Sequence, residues 1–170
     1  NEYFDLITSN NGLNNVQDLG KSLAECFRTC KKGGHLIFTI NLPDTMKEFY
    51  GIFQSVLNDQ KLENQIEKMK EHIYQKRRPL VEMCELVQHS GFNVEKKIEK
   101  SFSYRFVDGP TMLHYFMIRE FFMPSWKEII PEKNVSTLFK EIESRLNQLS
   151  KDNGELVLTI PYVCVLCGKK

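Results

Sequence analysis

The order of apolar and polar positions near the start of the chain is typical of a strand, a helix and a second strand. A short apolar run around Phe4–Ile7 ends in the polar turn Ser9–Gly12. Asp18 then precedes apolar residues at three- and four-residue steps as far as Cys30, which predicts a helix. His35–Ile40 is almost continuously apolar, so we expect a strand buried on both faces. A strand, a helix and a second strand in such a short stretch predict that the two strands are parallel and that the helix crosses between them.

The remaining pattern adds three helical or aromatic stretches and two strands. The predicted elements are helices within Thr45–Ser90, a long strand at Phe92–Phe106, an aromatic stretch at His114–Trp126, an amphipathic helix at Val135–Leu149 and a last strand at Glu155–Leu166. Strands that alternate with helices predict an α/β fold.

Composition and charge narrow the class of protein. The chain has 170 residues, of which 41% are hydrophobic and 26% are charged, as in a single globular domain. Its 23 basic and 22 acidic residues leave a formal charge of +1, so no overall field attracts DNA, and we expect no DNA partner. No apolar run approaches the roughly 18 residues that a membrane span needs, so we expect no membrane-spanning segment in this sequence.

The five cysteines predict reduced thiols and a cytoplasmic protein rather than a set of disulfides, because their number is odd. Cys164 and Cys167 form a C-x-x-C pair in the last predicted strand. Residues three apart on a strand point to opposite faces, so this pair is poorly placed to share one ion. We therefore expect no metal site.

The most specific signal is the string Phe4–Asp18, followed by Cys30–Leu36. These segments resemble class I S-adenosylmethionine-dependent methyltransferases, in which strand four reads F-D-x-I before a polar turn and L-K-P-G-G-x-L introduces strand five. Gly12–Asp18 matches the pattern G-L-x-N-V-x-D and is similar to the methyltransferases of quinone biosynthesis. One departure is Lys32, where the family usually has proline.

This resemblance implies a Rossmann-like methyltransferase sheet, of which the chain holds strands four to seven. Such a sheet is mostly parallel, with helices on both faces and an antiparallel last strand inserted between strands five and six. Residues 42–91 and 107–135 would be a helical and an aromatic-rich insertion. The sequence lacks the family's Gly-rich cofactor turn E-x-G-x-G-x-G and its acidic partner. We therefore expect residues 1–170 to be the C-terminal part of one domain, with an exposed sheet edge that favours self-association.

The resemblance also assigns candidate site residues. Ser9, Asn10, Asn11 and Gly12 would contact the methionine part of S-adenosylmethionine, although the same residue types also form ordinary helix-initiating turns. The aromatic candidates for binding the methyl acceptor are Tyr115, Phe116 and Trp126, which would otherwise serve only packing. His114 is the candidate general base, the alternative being an ordinary surface or packing histidine.

The predicted activity is methyl transfer from S-adenosylmethionine to a small-molecule acceptor by the parent enzyme, with this chain inactive on its own. The alternative is a non-catalytic methyltransferase-like domain used for assembly or partner binding. A nicotinamide enzyme is disfavoured because the sequence also lacks G-x-G-x-x-G. The basic residues of 68–78 interleave with Glu67 and Glu71, which favours a solvated helix face over an RNA-binding patch.

Overall fold

The computed structural model describes residues 2–170 and contains four strands and eight α-helices in this part of the chain. The strands are β1 (Phe4–Asn10), β2 (Cys30–Asn41), β3 (Asn93–Phe106) and β4 (Leu156–Gly168). The helices are α1 (Leu19–Thr29), α2 (Lys47–Asp59), α3 (Glu63–Lys76), α4 (Leu80–His89), α5 (Gly109–His114), α6 (Phe116–Phe121), α7 (Met123–Ile129) and α8 (Glu132–Asn153). A 3-10 turn covers Leu13–Asn15.

The four strands form one sheet in the order β1-β2-β4-β3. β1 and β2 are parallel, with Asn10 opposite Thr39, and β2 and β4 are antiparallel, with Thr39 opposite Cys164. The predicted parallel crossover is therefore confirmed. The last strand also occupies the predicted inserted position, which confirms the α/β fold class.

Helix α1 begins where the sequence predicts, because Asp18 caps it. The Asp18 carboxylate accepts a hydrogen bond from the Lys21 amide at 2.9 Å and pairs with the Lys21 ammonium at 3.0 Å. Both contacts hold the pKa of Asp18 below its usual value. Leu23 points into the core and is fully buried.

Strand β2 begins earlier than predicted, at Cys30 rather than His35. Gly33 has a φ of 74°, and the pairing with β1 jumps from Phe4–Cys30 to Leu6–His35. Gly33 and Gly34 thus lie within β2, in the segment where the pairing with β1 is irregular. A bulge of this kind depends on the partner strand, which no local pattern reveals.

The chain folds as two compact units. The first unit comprises the chain to Pro43, Ile73–Ser101 and Ile160–Lys170. Its core joins one face of β2 and β4 to helices α1 and α4; the members are Leu23, Leu36, Phe38, Ile40, Met83, Val87, Val163, Val165 and Cys167. Buried and partly buried residues alternate along His35–Ile40 of β2, so the predicted burial is complete on the core face and partial on the opposite face.

The second unit comprises Asp44–His72 and Phe102–Thr159, and its core is helical. Helices α2 and α8 pack together, and Arg145 of α8 donates to Asp59 of α2 at 2.6 Å. The aromatic stretch His114–Trp126 begins at the last residue of α5, contains α6 and ends within α7. Helix α8 is longer than the predicted Val135–Leu149, because it starts immediately after Pro131.

Candidate functional site

The turn that follows β1 is held in place by one residue of β2, Thr39. Asn10 Oδ1 accepts a hydrogen bond from the Thr39 hydroxyl at 2.7 Å. The Asn11 amide donates to the Thr39 carbonyl at 3.0 Å and to its hydroxyl at 3.2 Å. Asn11 has a φ of 52°, a left-handed conformation that asparagine tolerates better than most residues. The turn therefore has a defined shape at the carboxyl end of two parallel strands, where open α/β sheets bind ligands.

The side chain of Asn11 carries an unusual feature at this turn. Its Oδ1 atom is the one buried side-chain nitrogen or oxygen of residues 2–170 that has no hydrogen-bond partner. A buried acceptor without a donor costs free energy, so such an atom calls for an explanation. The Asn11 carbonyl, in contrast, accepts from Asn15 Nδ2 at 3.0 Å. The turn thus contains one desolvated acceptor to which none of the described residues donates a hydrogen bond.

The remaining predicted cofactor residues complete the turn. Ser9 is half-buried, whereas Asn10 and Gly12 are exposed. A Cβ atom added at Gly12 would lie 2.9 Å from the Ser9 hydroxyl, so a side chain there would displace that hydroxyl. The fold places all four predicted residues at one point, and their role in binding the cofactor stays a prediction.

Thr39 is the residue of this site that sequence reasoning missed. The available signal was a single hydroxyl residue within the apolar run His35–Ile40. From sequence alone such a residue indicates only a half-exposed strand position. Its role becomes visible once β2 is paired with β1, because the pairing places Thr39 opposite Asn10.

The structure separates the predicted aromatic acceptor residues. Trp126 is fully buried in the second unit, where its ring stacks on Phe49 at 3.9 Å and its indole N–H donates to the Tyr50 hydroxyl at 3.0 Å. Tyr115 and Phe116 are exposed over 39% and 58% of their surface. Packing therefore explains the position of Trp126, whereas Tyr115 and Phe116 are accessible to a ligand.

His114 ends α5 and lines a cavity of about 920 Å³ in the second unit. Its Nδ1 lies 2.8 Å from the Pro110 carbonyl. A carbonyl only accepts hydrogen bonds, so Nδ1 carries the proton, and Nε2 is the acceptor in the neutral ring. Leu113, Met123 and Phe139 supply apolar walls to the same cavity. His114 thus has the tautomer that a general base requires, and its use as a base stays a prediction.

The cysteines have the surroundings of packing residues. Burial raises the pKa of the Cys167 thiol to about 12, with smaller contributions from Cys84 and Glu95. Burial also raises the pKa values of Cys26, Cys30 and Cys84. Within residues 2–170, no group of three or more His, Cys, Asp or Glu side chains is arranged to hold a metal ion. In the same range, no helix combines the length and apolar character needed to cross a bilayer.

Comparison with known proteins identifies relatives of the segment that builds the turn. Residues 1–38 match the family model described as a methyltransferase domain. Over 57 residues the chain is 40% identical to the demethylmenaquinone methyltransferases of two strains of Bacteroides fragilis. That alignment covers 32% of this chain and 23% of each relative, so the sequence similarity is confined to part of both proteins.

A solved structure extends the similarity in fold. A Bacillus halodurans protein described as a methyltransferase superimposes on 98% of this chain with a TM-score of 0.52, at 13% sequence identity. The chain spans 64% of that protein's length. At this identity the comparison establishes the fold alone. The resemblance to class I S-adenosylmethionine-dependent methyltransferases is thus confirmed, in sequence over the first 38 residues and in fold over nearly the whole chain.

Proposed function

We propose that this chain is the C-terminal part of a methyltransferase domain that transfers a methyl group from S-adenosylmethionine to a small-molecule acceptor. The observation that carries the proposal is the turn after β1. It lies within the segment matched by the methyltransferase family model, and it presents the buried, unpartnered Asn11 Oδ1. The 170-residue chain holds no Gly-rich cofactor turn, so on its own it binds the cofactor weakly and is inactive.

The residues of the turn fit the methionine part of the cofactor. S-adenosylmethionine supplies, when bound, an electrophilic methyl group on a sulfonium centre. Asn11 Oδ1 would accept a hydrogen bond from the ammonium group of the methionine part, which would satisfy the buried acceptor. Thr39 keeps Asn10 and Asn11 in position for this contact. The chain contributes orientation rather than a nucleophile, because proximity and alignment supply much of the rate of such a displacement.

On the acceptor side, Tyr115 and Phe116 would bind a flat or apolar small molecule through their exposed rings. His114 Nε2 would take the proton that an acceptor N–H or O–H loses on methylation. Trp126 supports this segment from within the core. The balanced charge and the free thiols favour a cytoplasmic protein that does not bind DNA.

A titration with S-adenosylhomocysteine, followed by the backbone amide signals in NMR spectra, tests the cofactor proposal. At millimolar ligand we expect shifts that include residues 9–15 and 39, because the turn is the chain's own contribution to the site. Asn11→Gly keeps the left-handed backbone but removes the acceptor, and it should weaken binding about tenfold. Asn64→Ala, an exposed helix residue, should leave the affinity unchanged.

Two results would contradict this proposal. Absence of any shift at the turn would remove it as a cofactor contact. Micromolar affinity of the chain alone would show that the Gly-rich element is not needed.

The edge of the sheet supports the second candidate, an assembly module. β1 lies at the sheet edge, and Tyr3, Phe4 and Leu6 expose 72%, 53% and 52% of their surface. An exposed apolar edge strand readily pairs with another chain. We therefore also propose that the chain self-associates through β1.

Sedimentation velocity tests self-association. Leu6→Lys places a charge on the edge strand and should shift the chain from dimers or larger species to monomers at equal concentration. Val81→Lys, an equally charged change at a 69% exposed residue of α4, should leave the distribution as in the unmodified chain. Equal distributions for all three proteins would exclude β1 as the contact.

A further inference from the structure

A second cavity, in the first unit, adjoins the turn after β1. It has a volume of about 370 Å³, and its floor is apolar, formed in part by the buried Leu13, Ile40 and Met83. Its polar lining consists of Asn14, Asn15, Gln17, Gln75, Lys76 and Arg78. We refer to it as the amide pocket.

The amide pocket adjoins the proposed cofactor turn. Asn15, which lines the pocket, donates its Nδ2 to the carbonyl of Asn11 at 3.0 Å. Leu13, the first residue of the lining, directly follows Gly12, the last residue of the turn. The pocket and the turn are therefore neighbours in the first unit.

The charge of the lining is one-sided. Lys76 and Arg78 are cationic, four further residues carry amide side chains, and none of the residues that line the pocket is acidic. The cavity that His114 lines in the second unit differs in this respect. There, Arg119, Lys127 and Lys140 are balanced by Glu128, Glu132 and Glu143. The one carboxylate that pairs with these two cations in the described structure is that of Glu82, which lies 3.9 Å from Arg78 and outside the lining. A lining of amide and cationic donors is the pattern that recognises anions.

Arg78 is held in place before any ligand arrives. Its Nη1 lies 3.3 Å from the Tyr74 hydroxyl and 3.9 Å from the Glu82 carboxylate, and its guanidinium lies 5.3 Å from the Tyr74 ring centroid. Tyr74 in turn donates its hydroxyl to Glu82 at 2.7 Å. This support reduces the entropy that Arg78 loses when it binds, and its planar group matches the geometry of carboxylates and phosphates.

We propose that the amide pocket binds the anionic group, a carboxylate or a phosphate, of a small molecule that binds at the turn. Lys76 and Arg78 supply the charge, and the amide side chains supply further donors. The anion belongs either to the methyl acceptor or to the methionine part of the cofactor, and this step rests on the function proposed above. The recognition of the anion itself requires only the pocket.

Inorganic phosphate is the probe, and the readout is again the backbone amide signals of the 170-residue chain at constant ionic strength. We expect shifts that saturate and that cluster at residues 13–17 and 75–78. Lys76→Gln together with Arg78→Gln should weaken the affinity at least about tenfold. The matched control is Lys127→Gln with Lys140→Gln, which removes the same charge from the other cavity and should change the affinity less than about twofold.

Shifts that do not saturate, or that weaken equally in both double variants, would overturn the proposal, because they would reflect general attraction to lysines. Saturable shifts at the pocket establish it even if S-adenosylhomocysteine does not bind, so the two proposals fail independently.

A competition experiment separates the two sources of the anion. Displacement of phosphate by S-adenosylhomocysteine, but not by 5′-methylthioadenosine, assigns the pocket to the carboxylate of the cofactor. Simultaneous binding of phosphate and S-adenosylhomocysteine assigns it to the acceptor.

Discussion

Replacing Trp126 with alanine is expected to lower the free energy of unfolding by about 3–5 kcal/mol. The ring is fully buried, stacks on Phe49 and donates its N–H to Tyr50, so truncation leaves a large cavity and removes one hydrogen bond to a buried hydroxyl. Urea unfolding followed by circular dichroism measures the change. Trp126 is the chain's single tryptophan, so fluorescence cannot serve for the variant.

Phe121→Ala is the matched control, because Phe121 is an aromatic residue of the same segment that is 62% exposed. Its loss should change the free energy of unfolding by less than about 0.5 kcal/mol. A small effect of Trp126→Ala, close to that of the control, would contradict the packing role and would return Trp126 to the list of accessible acceptor residues.

Replacing Lys169 with methionine is expected to cost about 1–3 kcal/mol of stability. The Lys169 side chain is only 8% exposed, and its ammonium donates to the carbonyls of Phe27 and Cys30, both at 2.8 Å. It also lies 4.4 Å from the centroid of the Phe27 ring. This ammonium caps the carboxyl end of α1, so methionine of similar length would leave two carbonyls without their donor.

Lys170→Met provides the control for Lys169→Met. Lys170 is the next residue and is exposed, so the same change of charge and shape should leave stability within about 0.5 kcal/mol of the original. The comparison uses the urea concentrations at the unfolding midpoints of the two variants, provided that the free energy of unfolding depends on urea concentration with the same slope in both. Equal losses in both variants would mean that the charge matters and the cap does not.

The elements that sequence reasoning predicts well are those with local signals. Asp18 and the apolar positions after it define α1, and the alternation at Phe92–Phe106 defines β3 within one residue. The start of β2 escapes prediction because the irregularity at Gly33 depends on pairing with β1. Local patterns predict which segments form helices and strands, whereas the exact start of a strand depends on its pairing with a neighbouring strand.

The candidate site was predictable only in its contiguous part. Ser9–Gly12 is one stretch of sequence, so a motif can identify it. The amide pocket combines residues 13–17 with Lys76 and Arg78, which the fold alone brings together. Lys169 escapes prediction for a related reason, since lysine is usually exposed and only the tertiary structure gives it buried carbonyls to cap.

Thr39 makes the candidate site depend on the register of the sheet. A shift of one residue between β1 and β2 would place Phe38 or Ile40 where the hydroxyl now lies, and neither can bind Asn10 or the Asn11 amide through its side chain. The turn consequently acquires its shape in the same event that aligns the two strands. Misaligned molecules would lack the ordered turn. A compound that binds only the ordered turn would therefore stabilise molecules in which β1 and β2 are correctly paired.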